Sequence, residues 1–282
     1  MQDIQLASSD TIEPAALYAA FIAAFSDYLV TFTFPIEQWP HLLARHVANL
    51  ALGRAALRDG EVVAFALVAP RPELGSWRVA AMGALPSARG SGVAPMLLDD
   101  FIQRAAGAGM GQVELECFAQ NERAVRLYRS RGFEVAHPLY GYVLAAGAPR
   151  VESPSSEAVL QVELQDAFAW LDAASLEMGD LPLQVTPPSL KAQGAALQAW
   201  RCGNAQLAFT ALSPDTVTVQ SLVDRDPAQR DAQQLIAHLL ERYPTSKIAV
   251  PQLQRPDIGG NAFQRMGFER LPLHGVLMRR AL

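Results

Sequence analysis

Glu116, Asn121, Ala124 and Tyr128 share the stretch Leu115-Glu-Cys-Phe-Ala-Gln-Asn-Glu-Arg-Ala-Val-Arg-Leu-Tyr-Arg-Ser-Arg-Gly-Phe133. Its first residues are apolar enough for a buried strand, and Asn121 is a good N-cap for a helix after it. Ala124 and Tyr128, three and seven positions on, then lie with Asn121 on roughly one helix face. Two turns span about 10.5 Å, a suitable reach for an elongated ligand. A phenol at one end could protonate a departing group, and Glu116 could take a proton from a nucleophile. A glutamate inside an apolar strand is unusual, because burying an unpaired charge is costly. The competing reading of Glu116 is a solvated or paired structural carboxylate. Tyr128 has its own alternative, a core tyrosine with a satisfied hydroxyl. Glu114 is the fallback carboxylate on the same strand face. Cys117 is expected to pack in the core, since no basic neighbour in sequence lowers its pKa.

About thirty residues earlier stands Pro86-Ser-Ala-Arg-Gly-Ser-Gly-Val-Ala94. A strand precedes it and an amphipathic helix follows, with Leu97, Leu98, Phe101 and Ile102 at helical spacing. Glycines let backbone N–H groups approach a ligand without Cβ interference. The free N–H groups of the first helical turn, and the positive end of its dipole, favour an anion such as a phosphate. Pro95 fits the first turn, and Arg89 offers a charge-assisted bond. A plain glycine turn entering a helix is the blander reading. The Gly-x-Gly-x-x-Gly spacing of dinucleotide sites is absent.

These segments need a frame. Ile4–Leu6 reads as a strand, Ile12–Phe25 as a helix, and Ile36–Leu50 as a second helix interrupted by Pro40. Arg54–Leu57 and Val62–Val68 form a hairpin around Asp59-Gly60. Trp77–Leu85 is a central strand. A helix at Pro95–Ala105, a strand at Val113–Phe118, a helix at Glu122–Arg131 and a final strand pair follow. This order gives an α/β layer structure.

A second copy of the pattern follows. Gly132-Phe-Glu…Pro-Leu-Tyr-Gly141 is matched by Gly267-Phe-Glu…Pro-Leu-His-Gly275, one residue shorter. Leu235, Ile236, Leu239 and Leu240 repeat the helical pattern before a strand at Lys247–Val250. The spacer Ala145–Glu157 is small, polar and proline-containing, a linker candidate. Two domains are expected, 1–148 and 155–282, with an α/β fold in each.

The pair of motifs resembles the acyl-CoA-binding segments of the GNAT N-acetyltransferase superfamily. Arg89, Gly92 and Ala94 match its Arg/Gln-x-x-Gly-x-Gly/Ala pattern. The resemblance implies two tandem GNAT-like acyl-CoA N-acyltransferase folds, each a mixed central sheet flanked by helices. It implies that Arg89, Gly90, Ser91, Gly92, Val93 and Ala94 hold the CoA pyrophosphate. By the same resemblance, Gly83, Ala84 and Leu85 offer backbone groups to the pantetheine arm, Asn121 also contacts that arm, and Tyr128 is the general acid. Leu-Glu-Cys-x-x-x-Asn is similar to a segment of the N-terminal-alanine acetyltransferases of ribosomal proteins, where a glutamate and a tyrosine twelve positions on act as base and acid. Glu116 and Tyr128 have that spacing.

The second copy departs from the pattern. Aligning the helices puts Pro227 opposite Arg89 and Arg230 opposite Gly92. Aligning the Gly-Phe pairs puts Phe263 opposite Tyr128, with Asn261 displaced. The second domain is therefore expected to be a degenerate copy that braces the first, shapes the acceptor site or makes a dimer contact.

The expected activity is acetyl-CoA-dependent N-acetylation of a primary amine on a small molecule or peptide. A non-catalytic acyl-CoA-binding or sensor module is the alternative, and a purely structural protein the third reading. The acceptor is expected near the first two helices, at Ala24–Tyr28 and Thr31–Phe34, with Asp27 as an attractor for a cationic amine or simply a helix-end carboxylate. A net charge of -5 favours neither nucleic acid nor anionic membrane as partner. Two cysteines and five scattered histidines suggest neither a disulfide framework nor a metal site. No apolar run has the length of a bilayer span or signal peptide, so a cytoplasmic protein is expected, with a homodimer left open.

Overall fold

The structure, a computed structural model, describes residues 4–149, 151, 157–179 and 181–282. The chain folds as two compact units, and they are not the two contiguous halves expected. The first unit takes residues up to Cys117, then Asn121–Ala136 and Met278–Leu282; the second takes Phe118–Gln120 and His137–Leu277. Residues 137–148 therefore leave the first unit, and the chain's end returns to it. Of the expected linker, residues 150 and 152–156 lie outside the described residues, as does the expected second boundary at 155.

The first unit runs β1 (Gln5–Ser8), α1 (Pro14–Ala24), α2 (Trp39–Arg45), β2 (Asn49–Arg58), β3 (Glu61–Arg71), β4 (Ser76–Ala84), α3 (Val93–Gly107), β5 (Gln112–Phe118) and α4 (Glu122–Arg129). Strands β1 to β4 pair antiparallel in order, and β5 pairs parallel with β4 after the α3 crossover. Asp59 and Gly60 both take positive φ, as the tight β2–β3 turn requires. Leu97, Leu98, Phe101, Ile102 and Ala105 bury one face of α3. The expected helix over Ile36–Leu50 is shorter. A 3₁₀ turn at Ile36–Gln38 leads into α2, and Pro40 sits in its first turn, where a missing N–H costs nothing. Val47 turns left-handed, and the chain is strand from Asn49.

The second unit repeats this order. It includes the later part of β6 (Glu134–Leu144), then β7 (Leu160–Val162), α5 (Leu164–Met178), α6 (Pro187–Leu190), β8 (Leu197–Cys202), β9 (Ala205–Ser213), β10 (Thr216–Asp224), α7 (Arg230–Arg242), β11 (Lys247–Gln254), α8 (Gly260–Arg265), β12 (Glu269–Arg270) and most of β13 (Gly275–Ala281). Strands β7 to β10 pair antiparallel in turn, and β11 joins β10 in parallel after α7. Leu235, Ile236, Leu239 and Leu240 bury the face of α7 that the spacing indicates.

Ion pairs fasten β5 and the returning chain end inside the first unit. Glu114 is fully buried and accepts from Arg71 at 2.7 Å, and Arg279 approaches its other oxygen at 3.4 Å. Arg280 donates to the Arg131 carbonyl at 2.6 Å, and the Leu282 N–H to Gly111 at 3.1 Å. Glu114 is thus a structural carboxylate and not a fallback base. Removing one member of a buried pair leaves the other charge uncompensated. Glu114→Ala is expected to destabilise the first unit by about 3 kcal/mol, and Met278–Leu282 truncation to lower its stability also. Denaturant melts of each against the parent chain check this; parent-like midpoints would refute it.

Candidate active site

The site begins with an irregularity in β4. Leu67 pairs with Ala81 and Val68 with Val79, so Ala80 bulges out of the β3–β4 ladder. Pairing of β4 with β5 runs only from Ser76–Gln112 to Val79–Leu115, although both strands continue. Beyond Val79 the two parallel strands part and leave a gap. The Leu85 N–H bonds Val63 at 2.9 Å, so residues 83 and 85 turn their backbone groups to β3. By alternation, Met82 and Ala84 turn theirs toward the gap. The Leu85 carbonyl also accepts the Ala88 N–H, at 2.9 Å. Of the three strand-end residues expected to offer backbone groups, only Ala84 has the right parity; Met82 joins it, and Gly83 and Leu85 do not. Gly83 has a different task. A Cβ there would lie 2.8 Å from Ala24 Cβ and 3.1 Å from Phe65, so its absence lets α1 pack on the sheet.

The glycine loop closes the gap's end. Gly90 and Gly92 both have positive φ, and Gly92 is the left-handed cap from which α3 starts. The N–H groups of Gly90, Gly92, Val93 and Ala94 have no hydrogen-bond partner among the described residues. An anion placed at the start of α3 would meet these donors and the helix dipole. Two other members of the loop are engaged internally. Ser91 Oγ donates to Ala88 at 2.6 Å. Arg89 donates to both carboxylate oxygens of Asp27, at 2.5 and 2.6 Å, to Ala24 at 3.1 Å and to Ala84 at 3.4 Å. The Arg89 side chain therefore ties the end of α1 to the end of β4 instead of reaching a phosphate. Asp27 is its partner, held below the ordinary carboxylate range chiefly by that hydrogen bond, and not a free attractor for a cation.

On the other side of the gap, Asn121 caps α4 by accepting the Ala124 N–H at 3.2 Å. Its amide nitrogen remains as donor. Tyr128 is buried and meets Phe133 edge-on at 6.1 Å between centroids. Burial pushes its phenol well above the ordinary range, with Cys117 and Tyr28 contributing. The hydroxyl thus keeps its proton. Cys117 is likewise pushed up to about 12, by burial first and Glu116 second, so it is a packed thiol. Cys117 and Cys202 are both free.

Glu116 is nine-tenths buried and accepts from Arg78 Nε at 3.0 Å and, more closely, from Nη2. One carboxylate oxygen, Oε2, takes both bonds. The other, Oε1, is buried with no hydrogen-bond partner among the described residues. His46, which the sequence reading passed over, stands in the same neighbourhood. Its Nδ1 lies 3.1 Å from the carbonyl of the bulged Ala80. Burial and then Arg78 lower its imidazole to about 4, against smaller opposing effects of Ala80 and Glu116. No group of three or more His, Cys, Asp or Glu among the described residues could hold a metal ion. No helix among them is long and apolar enough to cross a membrane.

The second unit builds the same frame and fills it. Val219 pairs with Phe209 and Ser221 with Ala208, so Gln220 bulges as Ala80 does. Pairing of β10 with β11 stops at Thr218–Ala249. Across the opening, Gln254 donates to the Leu222 carbonyl at 3.0 Å. The left-handed cap of α7 is Gln229, not Arg230, so the loop is one residue out of the register that the helix faces suggest. Gln229 is fully buried; it accepts the Ala262 N–H at 2.9 Å and donates to Pro256 at 2.9 Å. Asp224, at the end of β10, accepts the N–H groups of Ala232 and Asp226, each at 2.9 Å. A carboxylate of the protein thus serves the α7 N-terminus. Phe133 bonds back to Tyr128 and Phe268 to Phe263 in identical turns, which places Phe263 opposite Tyr128.

This geometry has known counterparts. The model of the Acetyltransferase (GNAT) family matches residues 15–133. A putative acetyltransferase from Pyrococcus horikoshii superposes with a TM-score of 0.66 at 15% identity, covering 99% of this chain and 89% of that one. A GCN5-related N-acetyltransferase from Sphaerobacter thermophilus gives 0.65 at 15% identity, with 99% and 95% covered. A tandem GNAT protein from the clavulanic acid biosynthesis pathway gives 0.61 at 12% identity, with 99% and 98% covered. A search of curated proteins returns no match. Residues 15–133 thus match the GNAT family, and the chain as a whole has the α/β fold of these structures, a mixed sheet flanked by helices. Proteins of this family carry out acyl-CoA-dependent N-acetylation.

The low imidazole value has a consequence for stability. His46 is neutral in the folded chain down to about pH 4 but protonates near 6.5 once unfolded. Between those values the unfolded state binds more protons, so stability is complete above about pH 6.5 and falls as pH drops toward 4. His46→Gln is expected to flatten this part of the profile. Thermal melts from pH 7 to 4 check it; a variant with the parent's slope would remove His46 as the cause.

Proposed function

We propose that the first unit moves an acetyl group from acetyl-CoA to a primary amine, and that the second unit binds no cofactor. The observation that carries this is the β4–β5 gap. It opens at the backbone groups of Met82 and Ala84, ends at four free N–H groups at the start of α3, and stands with Tyr128 and the unpartnered Glu116 oxygen in one unit. The N–H groups of Gly90, Gly92, Val93 and Ala94 would hold the pyrophosphate. Met82 and Ala84 would pair with the amides of the pantetheine arm, and Asn121 would donate to it.

The net reaction forms a bond from the amine nitrogen to the acetyl carbon and breaks the carbon–sulfur bond. One proton leaves nitrogen and one arrives on sulfur. Tyr128, held protonated by its burial, is the donor to sulfur. Glu116 Oε1 accepts a hydrogen bond from the incoming amine and receives or relays its proton. The amine proton passes on from Glu116 to solvent.

Calorimetry is expected to show one acetyl-CoA per chain. Gly92→Gln, which copies the second unit's cap, is expected to weaken binding at least tenfold. Two sites per chain, or an unaltered affinity, would refute the loop assignment. Tyr128→Phe is expected to lower kcat by about tenfold to a hundredfold while leaving acetyl-CoA affinity nearly unchanged, since acid help is worth this order or more. Binding of acetyl-CoA with no thiol release from any amine would instead favour a non-catalytic acyl-CoA-binding module.

A further inference from the structure

An aromatic wall stands beside the reacting end. Phe25 meets Tyr28 at 5.1 Å and Phe32 at 5.2 Å between ring centroids, and Tyr28 meets Phe32 at 6.1 Å. Phe25 also reaches Phe65 of β3 at 6.3 Å, and Phe21 stacks on Phe65 at 5.8 Å, which anchors the group to the sheet. Phe21 is buried, whereas Phe25, Tyr28 and Phe32 keep part of their surface open. Arg89 holds Ala24 and Asp27, on either side of Phe25, and also reaches Ala84, so the wall stands at the end of β4 where the gap opens.

The charges near this wall are already matched. Asp27 is held in both its oxygens by Arg89, and Glu116 is paired with Arg78. Neither of these two carboxylates is left over to pair with the further ammonium groups of a polycationic acceptor. Half-open rings offer what such an acceptor lacks a use for: flat apolar surface, on which a second ring packs edge-on or offset.

Resting on the acyl transfer proposed above, we infer that the acceptor is an arylalkylamine: one primary amine on a short chain carried by an aromatic ring. The ring packs against Phe25, Tyr28 and Phe32, and this places the nitrogen toward Glu116 and Tyr128. The wall selects the acceptor's body, and the carboxylate and phenol act on its amine.

The test is a thiol-release assay on the full chain with acetyl-CoA and three probes: 2-phenylethylamine, spermidine and an alanine-starting peptide. Direct binding of each probe is measured in parallel by calorimetry. 2-Phenylethylamine is expected to exceed the other two at least tenfold in kcat/KM. Phe32→Ala, outside any helix or strand, is expected to raise its KM at least fivefold with the KM for acetyl-CoA unchanged, and Phe32→Leu to recover part of the loss. Preference for spermidine or the peptide, equal rates for all three, or a Phe32→Ala enzyme with the parent's KM would overturn the inference while leaving acyl transfer standing. Binding of 2-phenylethylamine that weakens in Phe32→Ala, without thiol release, would support the subsite and overturn the transfer.

Discussion

The first unit's site depends on one extra residue in one strand. Ala80 has no partner across the β3–β4 ladder, and from that point β4 turns away from β5. Two parallel strands that part inside a domain leave N–H and C=O groups unpaired, which proteins rarely tolerate without another partner. The bulge's own carbonyl is met by His46. That of Met82 opens onto the gap, and that of Ala84 faces it with Arg89 at 3.4 Å. A ligand with alternating amide donors and acceptors, such as the pantetheine arm, is what such an edge suits. The helices on either side then have fixed tasks: α3 brings free N–H groups to one end of the gap, and α4 brings Tyr128.

The second unit meets the same constraint with its own side chains. Its bulge at Gln220 parts β10 from β11 in the same way. Here Gln254 reaches across to Leu222, Gln229 serves the backbone at Ala262 and Pro256, and Asp224 supplies a negative charge to α7. Each replaces part of what acetyl-CoA would offer in the first unit: an amide against the strand edge, a filler at the loop, an anion at the helix start. A frame that is costly when empty is stable when its own side chains occupy it. That explains how the fold persists in the second unit although Phe263 stands opposite Tyr128.

Two glutamates on one face of β5 show how similar residues divide between structure and chemistry. Glu114 has an arginine on each oxygen and no exposure. Both of its oxygens are committed to the fold. Glu116 spends one oxygen on Arg78 and keeps the other. Only the second arrangement leaves a carboxylate oxygen unpartnered, as the proposed contact with an amine requires. The same division holds in the loop, where Arg89 is consumed by Asp27 and the backbone amides beside it are free.

Much of this was legible in the chain because it is local. The α3 and α7 faces follow from apolar spacing, the Asp59-Gly60 turn from its residues, and the glycine loop from its position between a strand and a helix. What was illegible is what depends on pairing across the fold. Nothing near Arg89 in sequence names Asp27, nothing near Glu116 names Arg78, and nothing in Met278–Leu282 announces a return to the first unit. The strand-end error is the most instructive. Alternation along β4 tells which residues share a face, but a bulge shifts that parity by one. Gly83, Ala84 and Leu85 therefore look equivalent in sequence, and only the Leu85–Val63 bond decides among them. The same shift operates at Gln229, where a helix that starts one residue early moves a buried amide into the place that an arginine was expected to crowd. A motif read by residue type thus locates a site to within an element. The hydrogen bonds determine which of its atoms remain to bind anything.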